Sequence, residues 1–126
     1  MIRILVADKL SHKGVEILKQ DDRFQVDVKT DLSRTELIAE IPQYHGLVVR
    51  SATKVTSEVI ETAQNLKIIG RAGIGTDTID VEAATKQGIV VINAPEGNSV
   101  TAAEHAIALM LSLSRKIPQA TASMKQ

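Results

Sequence analysis

Short runs rich in apolar residues alternate with amphipathic stretches five times along this chain, and this alternation constrains the fold more than any other feature. A continuous apolar run is typical of a parallel strand buried on both faces, and two parallel neighbours need a crossover between them. The predicted strands are residues 4–7, 24–28, 47–49, 67–69 and 89–92. The predicted helices are residues 12–20, 33–41, 56–63, 80–87 and 99–116.

This pattern predicts an α/β fold in which helices cover both faces of a doubly wound, five-stranded parallel sheet. The commonest strand order for such a sheet is 2-1-3-4-5, the flavodoxin-like arrangement. Apolar and polar residues alternate in segment 24–28, as expected at a half-exposed edge. Ser33 and Glu36 form a capping box at the start of the second helix, and Gly88 ends the fourth.

Composition narrows the function classes. The 126 residues fit one domain, and 15 basic residues balance 15 acidic ones, which argues against a nucleic-acid partner. No apolar run reaches the roughly 18 residues of a membrane span, and there is no cysteine for a disulfide or a thiol nucleophile. We therefore expect a cytoplasmic protein that binds neither membranes nor nucleic acid. The three histidines stand apart, so no metal site is predicted.

Two arginines follow neighbouring strands of the predicted sheet. Arg50 comes directly after the third strand, and Arg71 stands after the fourth, beside the glycine turn 73–75. Ligands of open α/β sheets bind at this carboxyl edge, and guanidinium groups with exposed backbone N–H groups suit a carboxylate or phosphate. The alternative is that both arginines only pair with Asp77, Asp80 or Glu96, and that the glycines only make tight turns.

Other ligand sites of this fold class lack their key residues. The turn 73–75 does not continue into a dinucleotide fingerprint, because Thr78 occupies the next glycine position and no helix follows immediately. A phosphoacceptor domain would need an aspartate where Arg50 stands. The helix at 99–116 is apolar nearly all round, so we expect a second domain or a second copy of the chain to cover it.

Four segments together resemble the D-isomer-specific 2-hydroxyacid dehydrogenases: VRSATKVT, GRAGIGTD, NAPEGNS and RKIPQATASMK. The resemblance covers the whole chain and implies that residues 1–126 form a single flavodoxin-like substrate-binding domain. The family's Rossmann domain, with its NAD site and catalytic residues, would lie downstream. We therefore expect a chain that ends before that domain, has no catalytic residue of its own and does not bind NAD tightly.

The resemblance also implies a substrate and a set of site residues. It is nearest to members that oxidise 3-phosphoglycerate to 3-phosphohydroxypyruvate with NAD, at the entry to serine biosynthesis. The substrate contacts carried over by position are Arg50, Ser51, Arg71, Ala72, Gly73, Ile74, Asn98 and Ser99. Ile74 would also approach the nicotinamide, although many members have Thr or Val there. Two alternatives stay open: part of another D-2-hydroxyacid dehydrogenase, or a stand-alone module with a binding or assembly role.

Overall fold

The computed structural model describes residues 1–73 and 77–93, which form a five-stranded, all-parallel sheet in the order β2-β1-β3-β4-β5. The strands are β1 (Ile2–Val6), β2 (Phe24–Val28), β3 (Gly46–Val49), β4 (Ile68–Arg71) and β5 (Val90–Asn93). The helices are α1 (His12–Lys19), α2 (Arg34–Glu40), α3 (Ser57–Thr62) and α4 (Val81–Lys86), with a short 3-10 helix at Ile41–Gln43. The predicted fold class and strand order are confirmed.

Each of the four α-helices begins where the local sequence supplies a capping side chain. The side chains of Ser11, Ser33, Thr56 and Asp80 each accept a hydrogen bond from the backbone N–H three residues later. The predicted capping box is present, because the carboxylate of Glu36 also accepts from the backbone N–H of Ser33 at 2.7 Å. Satisfying these otherwise free N–H groups stabilises a helix by about 1 kcal/mol per cap.

The core lies on the two faces of the sheet and is unequal in size. The larger cluster packs one face, including Leu47 and Ile69, against α2, α3 and α4. The smaller cluster packs the other face, including Ile4 and Val48, against Leu18 of α1. Every residue of β3 is buried, whereas β2 is the half-exposed edge strand that its sequence predicts. Burial along β2 does not follow the sequence alternation strictly, because Val28 is exposed and Asp27 is partly buried.

At their carboxyl ends, two strands extend further than the apolar runs predicted. β4 continues through Arg71 because the parallel ladder pairs Arg71 with Val49 of β3. β5 continues through Asn93 because the ladder pairs Asn93 with Arg71. The predicted helix 99–116 and the site residues Ile74, Asn98 and Ser99 lie outside the described residues. Within residues 1–73 and 77–93, no helix is long and apolar enough to cross a membrane.

Candidate functional site

The carboxyl ends of β3 and β4 bring the two predicted arginines to the same edge of the sheet. Arg71 is the register partner of Val49, the residue just before Arg50. The ladder continues one step further, because the backbone N–H of Ala72 donates to the carbonyl of Val49 at 2.9 Å. The sequence prediction that both arginines leave neighbouring strands at one edge is therefore matched by the backbone.

Arg71 is a largely buried cation whose hydrogen-bonding capacity is not used within the described part of the chain. Its side chain is only 11% exposed, and its Nε and Nη1 atoms are buried without a hydrogen-bond partner there. The nearest anion is Asp77, whose Oδ1 lies 3.6 Å from Nη1, but that carboxylate is 88% exposed. A long, solvated ion pair of this kind contributes little stability. The guanidinium thus retains N–H donors that can bind an anion.

Arg50 is exposed and has a different partner. Its Nη1 donates to the carbonyl of Lys9 at 3.3 Å, a contact that reaches across to the end of β1. Ser51, the other predicted contact in this loop, is also exposed. The structure therefore brings Arg50 and Arg71 to one edge but gives their guanidinium groups separate neighbours, a carbonyl for one and a carboxylate for the other.

The turn after β4 lies against the buried arginine. A Cβ placed on Gly73 would lie 3.5 Å from Nε of Arg71, which is an ordinary contact. Ala72 and Gly73 are both partly buried, so their backbone lies beside the guanidinium rather than out in solvent. Backbone N–H groups next to a cation are a favourable setting for an oxyanion. The N–H of Ala72 already donates to Val49, so of these two residues only Gly73 could offer its N–H to such a group.

The set of site residues predicted from the sequence does not include Asp8, which also lies at this edge. Asp8 follows β1, is 6% exposed, and its Oδ2 accepts from the backbone N–H groups of Arg50 at 2.7 Å and Thr53 at 3.0 Å. The signal was available, because a carboxylate directly after the buried run 4–7 must find donors at the carboxyl edge. Those donors lie 42 and 45 residues away along the chain, so sequence spacing does not identify them.

The loop after β3 is also joined to the loop after β4. Val55 forms an isolated parallel bridge with Ile79. The backbone N–H of Val55 donates to the carbonyl of Thr78 at 2.8 Å, and the N–H of Asp80 donates to the carbonyl of Val55 at 2.9 Å. The segments that carry Arg50 and follow Arg71 are therefore held in a fixed relation by main-chain hydrogen bonds.

A second polar network lies on β1 and β2, away from this edge. Oδ2 of Asp27 accepts from the hydroxyl of Tyr44 at 2.8 Å and from Nη2 of Arg3 at 2.9 Å. Burial opposes ionisation of Asp27, but the hydrogen bonds from Tyr44 and Arg3 and the charges of Arg3 and Lys29 outweigh it, so its pKa is lowered. Burial and the Asp27 hydrogen bond raise the pKa of Tyr44, which stays a donor at neutral pH. This network is suited to holding β1 and β2 together.

The histidines of the described residues show no metal-binding arrangement. Nδ1 of His45 accepts from the backbone N–H of Arg3 at 3.0 Å, and burial lowers the pKa of this imidazole. His12 is exposed and lies 3.3 Å from Glu16 on the same helix. Residues 1–73 and 77–93 contain no group of three or more potential metal ligands.

Comparison with known proteins agrees with this architecture. The family model of the D-isomer specific 2-hydroxyacid dehydrogenase catalytic domain matches residues 4–125. The D-3-phosphoglycerate dehydrogenase of Archaeoglobus fulgidus is 55% identical over 125 residues, which cover 99% of this chain and 24% of that protein. The Sus scrofa enzyme of the same name is 54% identical over 123 residues, or 98% of this chain and 23% of that one. The chain thus spans about a quarter of the length of the curated relatives it matches.

Solved structures give the same result. The PH0520 protein of Pyrococcus horikoshii superposes with a TM-score of 0.72 at 34% identity, covering 99% of this chain and 37% of that one. An NAD+-bound 3-phosphoglycerate dehydrogenase of Entamoeba histolytica superposes with a TM-score of 0.69 at 31% identity, covering 88% and 38% respectively. The chain belongs to the D-isomer-specific 2-hydroxyacid dehydrogenase family.

Proposed function

We propose that this chain is the substrate-binding part of an NAD-dependent D-3-phosphoglycerate dehydrogenase, and that its carboxyl edge binds the anionic groups of 3-phosphoglycerate. The observation that carries the proposal is the Arg71 side chain, which is nearly buried yet has two N–H donors without a hydrogen-bond partner among the described residues. A buried cationic donor left unpaired costs about 1–3 kcal/mol or more, and a bound phosphate or carboxylate would satisfy it.

Each residue at the edge then has a distinct role. Arg71 would bind one oxyanion through its buried N–H groups, with the backbone at Ala72 and Gly73 beside it. Arg50 and Ser51, both exposed on the neighbouring loop, would contact the substrate from the solvent side. Ile74, Asn98 and Ser99 remain proposed contacts on the strength of family membership, and Ile74 is also the proposed point of approach for the nicotinamide.

The described residues do not fit a dinucleotide. After β4 the chain passes through a turn and an isolated bridge before α4 begins at Val81, so no helix N-terminus follows the glycine turn directly. Dinucleotide sites place the pyrophosphate on such an N-terminus. We therefore propose that residues 1–126 form one substrate-binding domain, that NAD is held by a separate nucleotide-binding domain, and that this chain alone neither binds NAD tightly nor oxidises the substrate.

Binding of 3-phosphoglycerate to the purified chain tests the proposal, with amide chemical shifts followed by NMR. Arg71→Ala is expected to weaken binding about tenfold or more, because a charge-assisted hydrogen bond contributes about 1.5–3 kcal/mol. Lys86→Ala is the matched control, since it removes one positive charge from an exposed position on α4. Equal weakening of binding by Arg71→Ala and Lys86→Ala would show that only the net charge matters, and it would contradict a specific anion site at Arg71.

The choice of substrate is tested by replacing 3-phosphoglycerate with glycerate, which lacks the phosphate. If Arg50 contacts the phosphate, Arg50→Ala weakens binding of 3-phosphoglycerate more than that of glycerate. An equal effect on both compounds would favour an enzyme for another 2-hydroxy acid. Absorbance at 340 nm with NAD and 3-phosphoglycerate checks the remaining expectation, because any turnover by this chain alone would contradict it.

A further inference from the structure

Asp8 is the most completely buried charged residue in the described part of the chain. Its carboxylate follows the last apolar residue of the β1 segment and lies at the same sheet edge as the two arginines. Removing a carboxylate from water is unfavourable unless hydrogen bonds replace its hydration. The partners of Asp8 therefore show which part of the molecule this burial stabilises.

The hydrogen bonds that Asp8 makes among the described residues all go to the loop that carries Arg50. Oδ2 accepts from the backbone N–H groups of Arg50 at 2.7 Å and Thr53 at 3.0 Å. Oδ1 accepts from the hydroxyl of Thr53 at 2.5 Å. Three charge-assisted hydrogen bonds thus hold a four-residue loop at both of its ends, while Ser51 and Ala52 between them remain exposed.

The segment that follows β1 also binds the guanidinium group of Arg50. The carbonyl of Lys9, next to Asp8, accepts from Nη1 of Arg50 at 3.3 Å. The backbone nitrogen and the guanidinium of Arg50 are therefore both bound by consecutive residues of one segment. A flexible exposed arginine loses side-chain entropy when it binds an anion, and restraining it beforehand reduces that loss.

We infer that Asp8 is a positioning residue: it does not touch the substrate, but it fixes the loop 50–53 so that Arg50 and Ser51 face the anion site. This inference rests on the proposed function of the edge. An exposed carboxylate at this edge would repel an anionic substrate. The Asp8 carboxylate is instead buried, and its oxygens accept hydrogen bonds from N–H and O–H donors of the loop.

Three variants separate positioning from general stability. Asp8→Ala removes all three hydrogen bonds. Asp8→Asn can keep them, because its amide oxygen can accept from both backbone N–H groups while its NH₂ donates to the Thr53 hydroxyl. Thr53→Val removes only the contacts of the hydroxyl, the one to Asp8 and a longer one of 3.5 Å to the carbonyl of Ala7, and serves where Asp8→Ala does not fold. Asp27→Asn is the control, since it weakens a buried carboxylate network in another part of the sheet.

Amide hydrogen exchange without ligand is the first measurement. In Asp8→Ala, exchange at Arg50 and Thr53 should accelerate about tenfold or more relative to Ala7, whose N–H donates to the carbonyl of Val48 at 3.0 Å. Asp8→Asn should retain the wild-type ratio of the exchange rates at Arg50 and Thr53 to the rate at Ala7. Thr53→Val should accelerate exchange at Arg50 less than Asp8→Ala does. Acceleration that is uniform across Arg50 and Ala7 would overturn the inference.

Titration with 3-phosphoglycerate is the second measurement, made where all variants are folded. Asp8→Ala should bind about tenfold more weakly, while Asp8→Asn and Asp27→Asn should bind within about threefold of the wild type. Undiminished binding by Asp8→Ala, with the loop amides unprotected, would overturn the inference and leave the proposed function intact. If the wild type does not bind, the proposed function fails, and the exchange result alone decides whether Asp8 fixes the loop.

Discussion

Replacing Tyr44 by Phe tests the polar network that joins β1 and β2, because it removes one hydroxyl and little else. The Tyr44 side chain is fully buried, and its hydroxyl donates to Oδ2 of Asp27 at 2.8 Å. The guanidinium of Arg3 lies over the Tyr44 ring, 4.8 Å from its centre, and a phenyl ring keeps most of that contact. The expected decrease in the free energy of unfolding is therefore that caused by losing one hydrogen bond to a charged group.

The magnitude follows from what Asp27 retains. A hydrogen bond to a charged partner contributes about 1.5–3 kcal/mol. Asp27 keeps its bond from Arg3 and is 25% exposed, so water can partly replace the lost donor. We expect the free energy of unfolding of Tyr44→Phe to fall by about 1.5 kcal/mol, at the lower end of that range, with a melting temperature about 5 °C lower.

The effect has a predicted pH dependence. The native pKa of Asp27 lies below its ordinary value, so its ionised form stabilises the fold above the unfolded pKa of about 3.9, and this contribution is lost as the pH falls through the native pKa. The Tyr44 hydroxyl is one cause of the lowered pKa. The difference between wild type and Tyr44→Phe should therefore be complete at pH 7 and shrink below about pH 4.

Urea unfolding followed by circular dichroism from pH 7 down to about pH 2.5, well below the ordinary pKa of an aspartate, measures both quantities. Asp27→Asn alone and combined with Tyr44→Phe completes a double-mutant cycle, in which the two changes should not add. A Tyr44→Phe difference that is unchanged across this pH range, or full additivity with Asp27→Asn, would refute the assignment of the hydroxyl to the Asp27 carboxylate.

Two further predictions concern a histidine and a glycine. Burial, together with the positive charges of the N-terminus, Lys67 and Arg3, lowers the pKa of His45. The neutral imidazole therefore stabilises the folded state fully above the unfolded pKa of about 6.5, and this stabilisation is lost as the pH falls below that value towards the native pKa. Stability to urea should fall from pH 7.5 to pH 5.5 in the wild type and less in His45→Asn, whose amide oxygen can still accept from the backbone N–H of Arg3; equal slopes would contradict this. Gly88 has φ +76° and open space around it, so Gly88→Ala should cost about 1 kcal/mol through backbone strain alone. Gly70→Ala, whose Cβ would meet Ile92 at an ordinary 3.8 Å, is the control, and a cost as large as at Gly88 would point to packing instead.

The elements of the fold could be predicted because their determinants are local. Ser33 and Glu36 satisfy one helix start between themselves, and Gly88 ends the fourth helix with a positive φ that other residues adopt only with strain. The alternation in β2 identified an edge strand without any knowledge of its neighbours. Each of these signals lies within a few residues of the structure that it determines.

Strand ends were predicted less well, because hydrophobicity reports burial whereas strands are defined by hydrogen bonding. The apolar run of β4 ends at Ile69, yet the ladder continues through Arg71, where Val49 is the partner. The difference affects the site: an arginine in the last position of a strand leaves the sheet in a direction fixed by the ladder. An arginine in a loop is not oriented by a ladder of backbone hydrogen bonds. Arg50 lies in such a loop, and the hydrogen bond from its backbone N–H to Asp8 restrains it instead.

The two carboxylates near the arginines show why side-chain partners could not be read from sequence spacing. Pairing of Arg71 with Asp77 was an open alternative; the contact exists, but Asp77 is too exposed to neutralise a buried guanidinium. Asp8, 42 residues from Arg50, binds that arginine through its backbone N–H and leaves the guanidinium charge available. A carboxylate placed to use up the charge of either arginine would have weakened an anion site. Among the described residues Asp8 instead binds the loop that carries Arg50, and Asp77 makes only a long, exposed contact with Arg71, which is the arrangement that the proposed anion site needs.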